Sequence, residues 1–254
     1  MINSDTDLRY NKLFFLHIPK TAGTSVNEML ANGFRSSNVR FHIENDRNEH
    51  YRNIDSGKYD MLSGHVRVDE MLHFFPGDKY LRVTLLRDPF EQLLSHINWV
   101  KYISENPQSS FFNGHPEFIK QFSLLLRGLD FDDESAVEKF FGNLPDIGIS
   151  LFNNCQTRYL FRGNPAPMLL ETDALKAIES LNLFHVVGVV EQLDQFVREV
   201  FDKMEWKLKP KILQKNVQKH NYSIHDKNDR LKELLFPLYC ADMVVYEYAK
   251  ANIH

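Results

Sequence analysis

Apolar residues along this chain gather in two kinds of block. Short apolar runs at residues 13–18, 59–62, 80–86 and 184–190 have the length and content of buried strands. Longer stretches of helical periodicity lie between them. Val26, Met29 and Leu30 share one face after the first run, with Asn32-Gly33 as a stop. Asp88 as N-cap, Pro89 in the first helical position and Glu91 three beyond the cap open a helix that runs to 103. Helices are also predicted over 117–127, 135–141, 149–161, 193–204 and 231–251, the last kinked or restarted by Pro237. Residues 36–58 and 106–114 are polar or rich in breakers and read as loops. Strands alternating with helices predict an α/β fold, a central parallel sheet of about five strands between two layers of helices. No repeat, low-complexity tract or Gly/Ser linker divides residues 1–254, so one domain is expected.

The junction of the first strand with the first helix carries the densest chemistry. It reads His17-Ile-Pro-Lys-Thr-Ala-Gly-Thr-Ser25. Pro19 cannot donate to a ladder and should end the strand, Gly23 can adopt conformations other residues resist, and Thr24 or Ser25 can cap the helix. A small-residue loop entering a helix presents N–H groups and the positive end of the dipole to one spot, an anion site. A lysine there is disfavoured unless an anion neutralises it, so Lys20 reads as a ligand to phosphate or sulfate. The nucleotide-triphosphate P-loop does not fit. That motif sets its lysine directly after glycine and a hydroxyl on magnesium, whereas Lys20 precedes Gly23 by three residues.

Lys20, His65 and Arg87 each follow a predicted strand, and parallel sheets bind ligands at the carboxyl ends of their strands. His65 stands behind Ser63-Gly64, where an imidazole can serve as a base near neutral pH. His17, within the apolar run, reads as a hydrogen-bonded core histidine.

Composition narrows the choice. The formal net charge of −4 argues against a nucleic-acid binder, so an anionic ligand must be held by local positive charge. Cys155 and Cys240 are too few for a disulfide framework or a metal cluster and fit a reducing compartment. The polar, acidic start is no signal peptide and no apolar run reaches the length of a membrane span, which together predict a cytoplasmic protein.

Pro19-Lys-Thr-Ala-Gly-Thr-Ser25 resembles the 5′-phosphosulfate loop of sulfotransferases, and with His17-Ile in front it is similar to the heparan 2-O-sulfotransferase branch. Arg87-Asp-Pro followed by Ser95 resembles that family's 3′-phosphate-binding element. A guanidinium fork and a hydroxyl two turns into the helix suit phosphate oxygens. Gly64-His-Val66 resembles the branch's catalytic-base segment. Gln156-Thr-Arg158 resembles a helix near acceptor and cofactor, which makes Arg158 a cleft candidate. Residues 187–191 resemble the strand before the last core helix, with Glu191 structural. Lys215-Asn216-Val-Gln-Lys219, in a run of six lysines over 203–219, resembles the late loop that folds over the nucleotide.

The resemblance implies a P-loop-like fold and a donor, 3′-phosphoadenosine 5′-phosphosulfate (PAPS), used without a metal. It implies cofactor contacts from Lys20, Thr21, Ala22, Gly23, Thr24, Ser25, Arg87, Ser95 and Asn216, with Lys20 and His65 catalytic. The acceptor it implies is a hydroxyl on a small molecule or an oligosaccharide, with no nucleic-acid partner and no membrane span. Its eukaryotic members are anchored in the Golgi membrane, and a chain with no anchor suggests a bacterial type. Two alternatives stay open on the residues alone. One is a magnesium-dependent nucleotide kinase, which the loop order disfavours. The other is a non-catalytic module for nucleotides or sulfated glycans, which would keep Lys20 and Arg87 but would not need His65. Residues 104–148, where acceptor selection is expected, resemble nothing recognised.

Overall fold

The computed structural model describes residues 10–52, 54, 57–76, 79–207 and 229–252. Its sheet has five parallel strands: β1 (Lys12–Leu16), β2 (Val39–Arg40), β3 (Met61–Gly64), β4 (Tyr80–Leu86) and β5 (Val186–Val189), ordered β2-β3-β1-β4-β5. The helices of the first half are α1 (Gly23–Ala31), α2 (Val68–Phe74), α3 (Pro89–Ile103), α4 (Ser110–Asn113) and α5 (Glu117–Arg127). Then follow α6 (Glu134–Gly142), α7 (Asp146–Phe152), α8 (Cys155–Leu160), α9 (Ala174–Leu181), α10 (Leu193–Lys203), α11 (Asp229–Leu235) and α12 (Cys240–Asn252).

Successive side chains of a strand point to opposite faces, so even a wholly apolar run must be covered twice. Leu13 and Phe15 of β1 and Leu81, Val83 and Leu85 of β4 meet α1 and α10 on one face. Phe14 and Leu16 of β1, with Tyr80 and Leu86 of β4, meet α2, α8, α9 and α12 on the other. This is the three-layer α/β arrangement the alternation predicts. A further core holds α3 against α5, α6, α7 and α11, centred on Leu93, Ile97, Phe122 and Phe152. It accounts for residues 104–152, which become a helical cap on α3.

Several boundaries differ from the sequence reading, each for a local reason. β1 ends at Leu16, and β3 begins two residues later than its apolar run, since Leu13 pairs with Met61 and Leu16 with Gly64. Within the expected loop 36–58, Val39 and Arg40 pair with Met61 and Leu62 as an edge strand too short to show alternation, and 3₁₀ turns cover Ser36–Asn38 and Ile43–Glu49. The expected loop 106–114 holds α4, capped by the Ser109 hydroxyl. The stretch 149–161 breaks into α7 and α8 at Asn153-Asn154, where Asn154 takes a left-handed φ of 48°. Pro237 falls in a 3₁₀ turn between α11 and α12, a restart as expected.

The break at Asn154 is stitched to the last helix by a pair of reciprocal caps. Asn154 Oδ1 accepts from the N–H groups of Ala241 (2.8 Å) and Asp242 (3.2 Å) at the start of α12. The Asp242 carboxyl accepts from those of Gln156 (3.1 Å) and Thr157 (2.6 Å) at the start of α8. Burial pushes the Asp242 pKa up to about 6, against the pull of these N–H groups. Each helix N-terminus is thus satisfied by a side chain from the other.

Candidate active site

From β1 the chain runs to β2 and β3 on one side and then crosses over to β4 on the other, so the carboxyl end of β1 lies at the switch point of the sheet. Crevices at such points are where open α/β sheets bind ligands. The segments after β1, β3 and β4, three adjacent strands, carry Lys20, His65 and Arg87.

The loop 17–23 reaches this crevice by a strained route. Lys20 and Ala22 both take left-handed backbone, with φ of 67° and 60°, at a cost of about 1–3 kcal/mol each for non-glycine residues. Gly23 is not the left-handed residue, contrary to expectation. Its role is space: a Cβ there would lie 1.7 Å from Nε2 of His17. Neither Thr24 nor Ser25 caps α1. Ala22 holds the cap position, no side chain caps the helix, and its first turn has no acidic residue. The positive end of α1 therefore meets no neutralising group of its own. Thr24 is exposed, Ser25 is buried, and the buried Thr21 hydroxyl donates to the Ile18 carbonyl at 2.9 Å. Thr21 braces the loop with its side chain and keeps a backbone N–H to offer.

The loop is bolted to α3. Gln92 Nε2 donates to the Pro19 carbonyl (2.9 Å) and Arg87 Nη1 to the Lys20 carbonyl (3.3 Å). Asp88 caps α3 as predicted, accepting from the Glu91 N–H at 3.0 Å. The Gln156 side chain clamps the Arg87 peptide, accepting from its N–H (3.0 Å) and donating to its carbonyl (2.9 Å). Arg87 Nη2 rests 3.3 Å from Glu91, and Ser95 follows two turns into α3, half-buried. Among the described residues the Lys20 ammonium has no hydrogen-bond or ion-pair partner. Burial and then the Arg87 charge hold its pKa below the usual lysine value. Two cations thus converge beside an uncapped helix N-terminus, the electrostatics of an anion site.

His65 faces this site from β3. Its Nδ1 lies 2.7 Å from the His17 carbonyl. A carbonyl only accepts, so the proton sits on Nδ1 and Nε2 carries the lone pair. Burial lowers the His65 pKa, the Glu44 charge pulls the other way, and the result lies below the ordinary histidine value. The ring is therefore neutral at pH 7 and able to accept a proton. The His17 ring stacks on Phe15 (5.4 Å between centroids) and lies 4.2 Å from that of His65. Burial, then the neighbouring His65, holds its pKa well down. It is a core histidine, and what it gives the site is its carbonyl.

Other residues belong to this wall, and the sequence reading passed over them. Gln92 is a buried polar side chain whose only sequence signal is polarity inside an apolar helix face, and the buried Gln156 enters the sequence reading only as part of the Gln-Thr-Arg segment, with no role of its own. His96 follows Ser95 on α3. Burial, then the charges of Lys20 and His65, draws its pKa down to about 3, and its buried Nδ1 has no partner among the described residues. Glu44 and Arg47, in the stretch read as plain loop, both grip the His65 peptide. Arg158, the cleft candidate, is spent on structure. It donates to Asn153 Oδ1 (3.0 Å) and to the Pro167 carbonyl (2.9 Å). Glu191 is structural as expected, accepting from the Asp88 N–H (3.3 Å) and the Tyr246 hydroxyl (3.0 Å). Asn216 and the lysines from 209 to 219 lie outside the described residues. Among the described residues no group of three or more His, Cys, Asp or Glu side chains could hold a metal ion, and no helix is long and apolar enough to cross a membrane.

Comparison with known proteins bears on this geometry. The sequence profile described as the sulfotransferase family matches residues 5–137, a span that holds the loop after β1, His65, Arg87 and Ser95. No curated protein is detectably similar in sequence. Among solved structures, mouse sulfotransferase SULT7A1 complexed with PAP matches at 12% identity and a TM-score of 0.32, over 95% of this chain and 89% of that one. A likeness that slight bears on nothing below.

Proposed function

Because the chain belongs to the sulfotransferase family, we propose that it transfers the sulfuryl group of PAPS to a hydroxyl acceptor, with His65 as the base. One observation carries this reading: Lys20, a cation with no counter-ion among the described residues, stands at the uncapped start of α1, and His65, a neutral imidazole with its lone pair on Nε2, follows the adjacent strand β3. The first feature suits an anionic donor, and the second has a use only if a proton must be removed.

PAPS supplies, when bound, a sulfuryl group already attached to a good leaving group. The backbone N–H groups of residues 20–25, with the hydroxyls of Thr24 and Ser25, hold its 5′ end. Lys20 balances the charge that grows on the bridging oxygen. Arg87 and Ser95 read the 3′-phosphate, with Gln156 fixing the Arg87 backbone. His65 Nε2 takes the acceptor's proton. Positioning and fixed charge provide most of the catalysis, and no divalent metal takes part. The acceptor class is carbohydrate, on the likeness of the 17–24 and 64–66 segments to the polysaccharide branch.

Adenosine 3′,5′-bisphosphate tests the donor site by thermal shift. It should raise the melting temperature more than ADP or ATP, equally with magnesium or EDTA, because a ligand of the folded state alone stabilises by mass action. A shift with ATP that needs magnesium would favour a kinase. The Arg87→Ala variant refines this. It should weaken the bisphosphate by about 1.5–3 kcal/mol, the worth of hydrogen bonds to a charged group, and adenosine 5′-phosphate much less. Equal losses for the two ligands in calorimetry would leave Arg87 with a structural role only.

A further inference from the structure

We propose that Glu44 is the positioning residue of the His65 base, holding its peptide and supplying the negative charge that the protonated ring needs. This rests on the reading of His65 as the base.

Three contacts fix His65, and two come from the 3₁₀ turn Ile43–Glu49. Glu44 Oε2 accepts from the His65 N–H at 2.9 Å, Arg47 Nη2 donates to the His65 carbonyl at 2.8 Å, and the ring itself is tied to the His17 carbonyl. Gly64 leaves the opening through which Glu44 arrives. A Cβ there would lie 2.4 Å from Glu44 Oε2 and 2.9 Å from the Ile43 nitrogen. The glycine of Ser63-Gly64-His65 thus makes room for a carboxylate from the same chain.

The groups facing His65 come from four elements. His17 stands at the end of β1, His42, Glu44 and Arg47 around the 3₁₀ turn, Tyr159 on α8 and His96 on α3. Burial keeps Tyr159 neutral by raising its pKa, and keeps His17 and His96 neutral by lowering theirs. The Arg47 charge is met by Glu70, at 2.6 Å. Among the described residues Glu44 has only the exposed His42 ring as an ion-pair candidate, at 3.1 Å, and its own side chain is 17% exposed. It is left as the negative charge that answers a proton arriving on His65, and its pull on the His65 pKa is upward. A carboxylate beside a base raises both its proton affinity and the stability of its cation.

The test needs no acceptor in its first arm. The imidazole resonance of His65, assigned by its loss in His65→Ala, is titrated by NMR in the wild type and in Glu44→Gln. Glutamine keeps an oxygen to accept from the His65 N–H but removes the charge, so the pKa of His65 should fall by about one unit. Glu44→Asp, which keeps the charge, should restore most of it. In the second arm, with labelled PAPS and a panel of mono- and disaccharides, the acid limb of kcat should move to lower pH in Glu44→Gln. Its plateau should drop roughly three- to tenfold, as expected for a weaker base. An unchanged pKa and pH profile in Glu44→Gln, with His65→Ala inactive, overturns this inference and leaves the base in place. Normal turnover by His65→Ala overturns the base and this inference with it.

Discussion

Lys20→Ala should lower the rate of sulfuryl transfer by about 10²–10³, the usual loss when a fixed charge is taken from a site where charge develops. Affinity for adenosine 3′,5′-bisphosphate should fall as well, because the proposed role of the same ammonium is to meet the 5′-phosphate before and during reaction. The stability of the ligand-free protein should move the other way. Burial and Arg87 both hold the Lys20 pKa below its ordinary value, so the fold disfavours the ammonium. Between the lowered folded pKa and the ordinary lysine value the unfolded chain binds more protons than the folded one, so the penalty grows as pH falls through that window and is complete below it. Removing the charge should leave the melting temperature equal or higher. The left-handed φ of 67° at this position is a strain that alanine shares, so it does not confuse the comparison. A variant that melts lower yet turns over normally would make Lys20 a structural lysine.

That opposition between function and stability explains why this loop was the most legible part of the chain. The sequence shows one local rule broken, a lysine at the positive end of a helix, and the folded chain adds two more, non-glycine residues in left-handed backbone and a helix start without the expected cap. Sequences break several rules at once mainly where a ligand repairs them. The parallel sheet was legible for a different reason. Apolar runs separated by helical periodicity leave a parallel sheet as the economical arrangement, and Lys20, His65 and Arg87 then fall at strand ends whatever the exact boundaries. The helix start at Asp88-Pro89 was equally plain, since cap, proline and glutamate each carry a mechanism.

What stayed hidden depends on tertiary contact. β2 is two residues long and owes its existence to pairing with β3. Glu44 and Arg47 sit in a polar stretch without periodicity, and only the folded chain shows them gripping a residue about twenty positions away. Gly23 reads from the sequence as a conformational device, and Gly64 carries no role there. Both are gaps, one filled by His17 and the other by Glu44. Arg158 misled because a positive side chain near a cleft looks like a ligand, whereas carbonyls at 166 and 167 had already claimed it. A sequence advertises its donors and acceptors, but which of them are already paired is a property of the fold.

His65→Ala should show the largest loss of all, about 10²–10⁴ in turnover, the worth of a general base acting on an alcohol. Affinity for the bisphosphate should stay near wild type, because the proposed role of the imidazole is to meet the acceptor and not the nucleotide. That separates it from Lys20→Ala, which loses both. Alanine also removes the 2.7 Å donor to the His17 carbonyl, so a second variant is needed to keep the fold out of the result. His65→Asn places an N–H where Nδ1–H stood and has no basic nitrogen. It should be as inactive as alanine while melting closer to wild type. In the wild-type enzyme the rate should fall with acid below the ordinary histidine range, since the His65 pKa is lowered. Stability falls in the same direction. His17, His65 and His96 all have lowered pKa values, so the unfolded state binds more protons as pH drops below about 6.5 and the fold weakens. The acid limb must therefore be measured at a temperature well under the melting point at each pH. A normal turnover in both variants would take His65 out of the mechanism, and His17, ring to ring with it at 4.2 Å, would be the next histidine to replace.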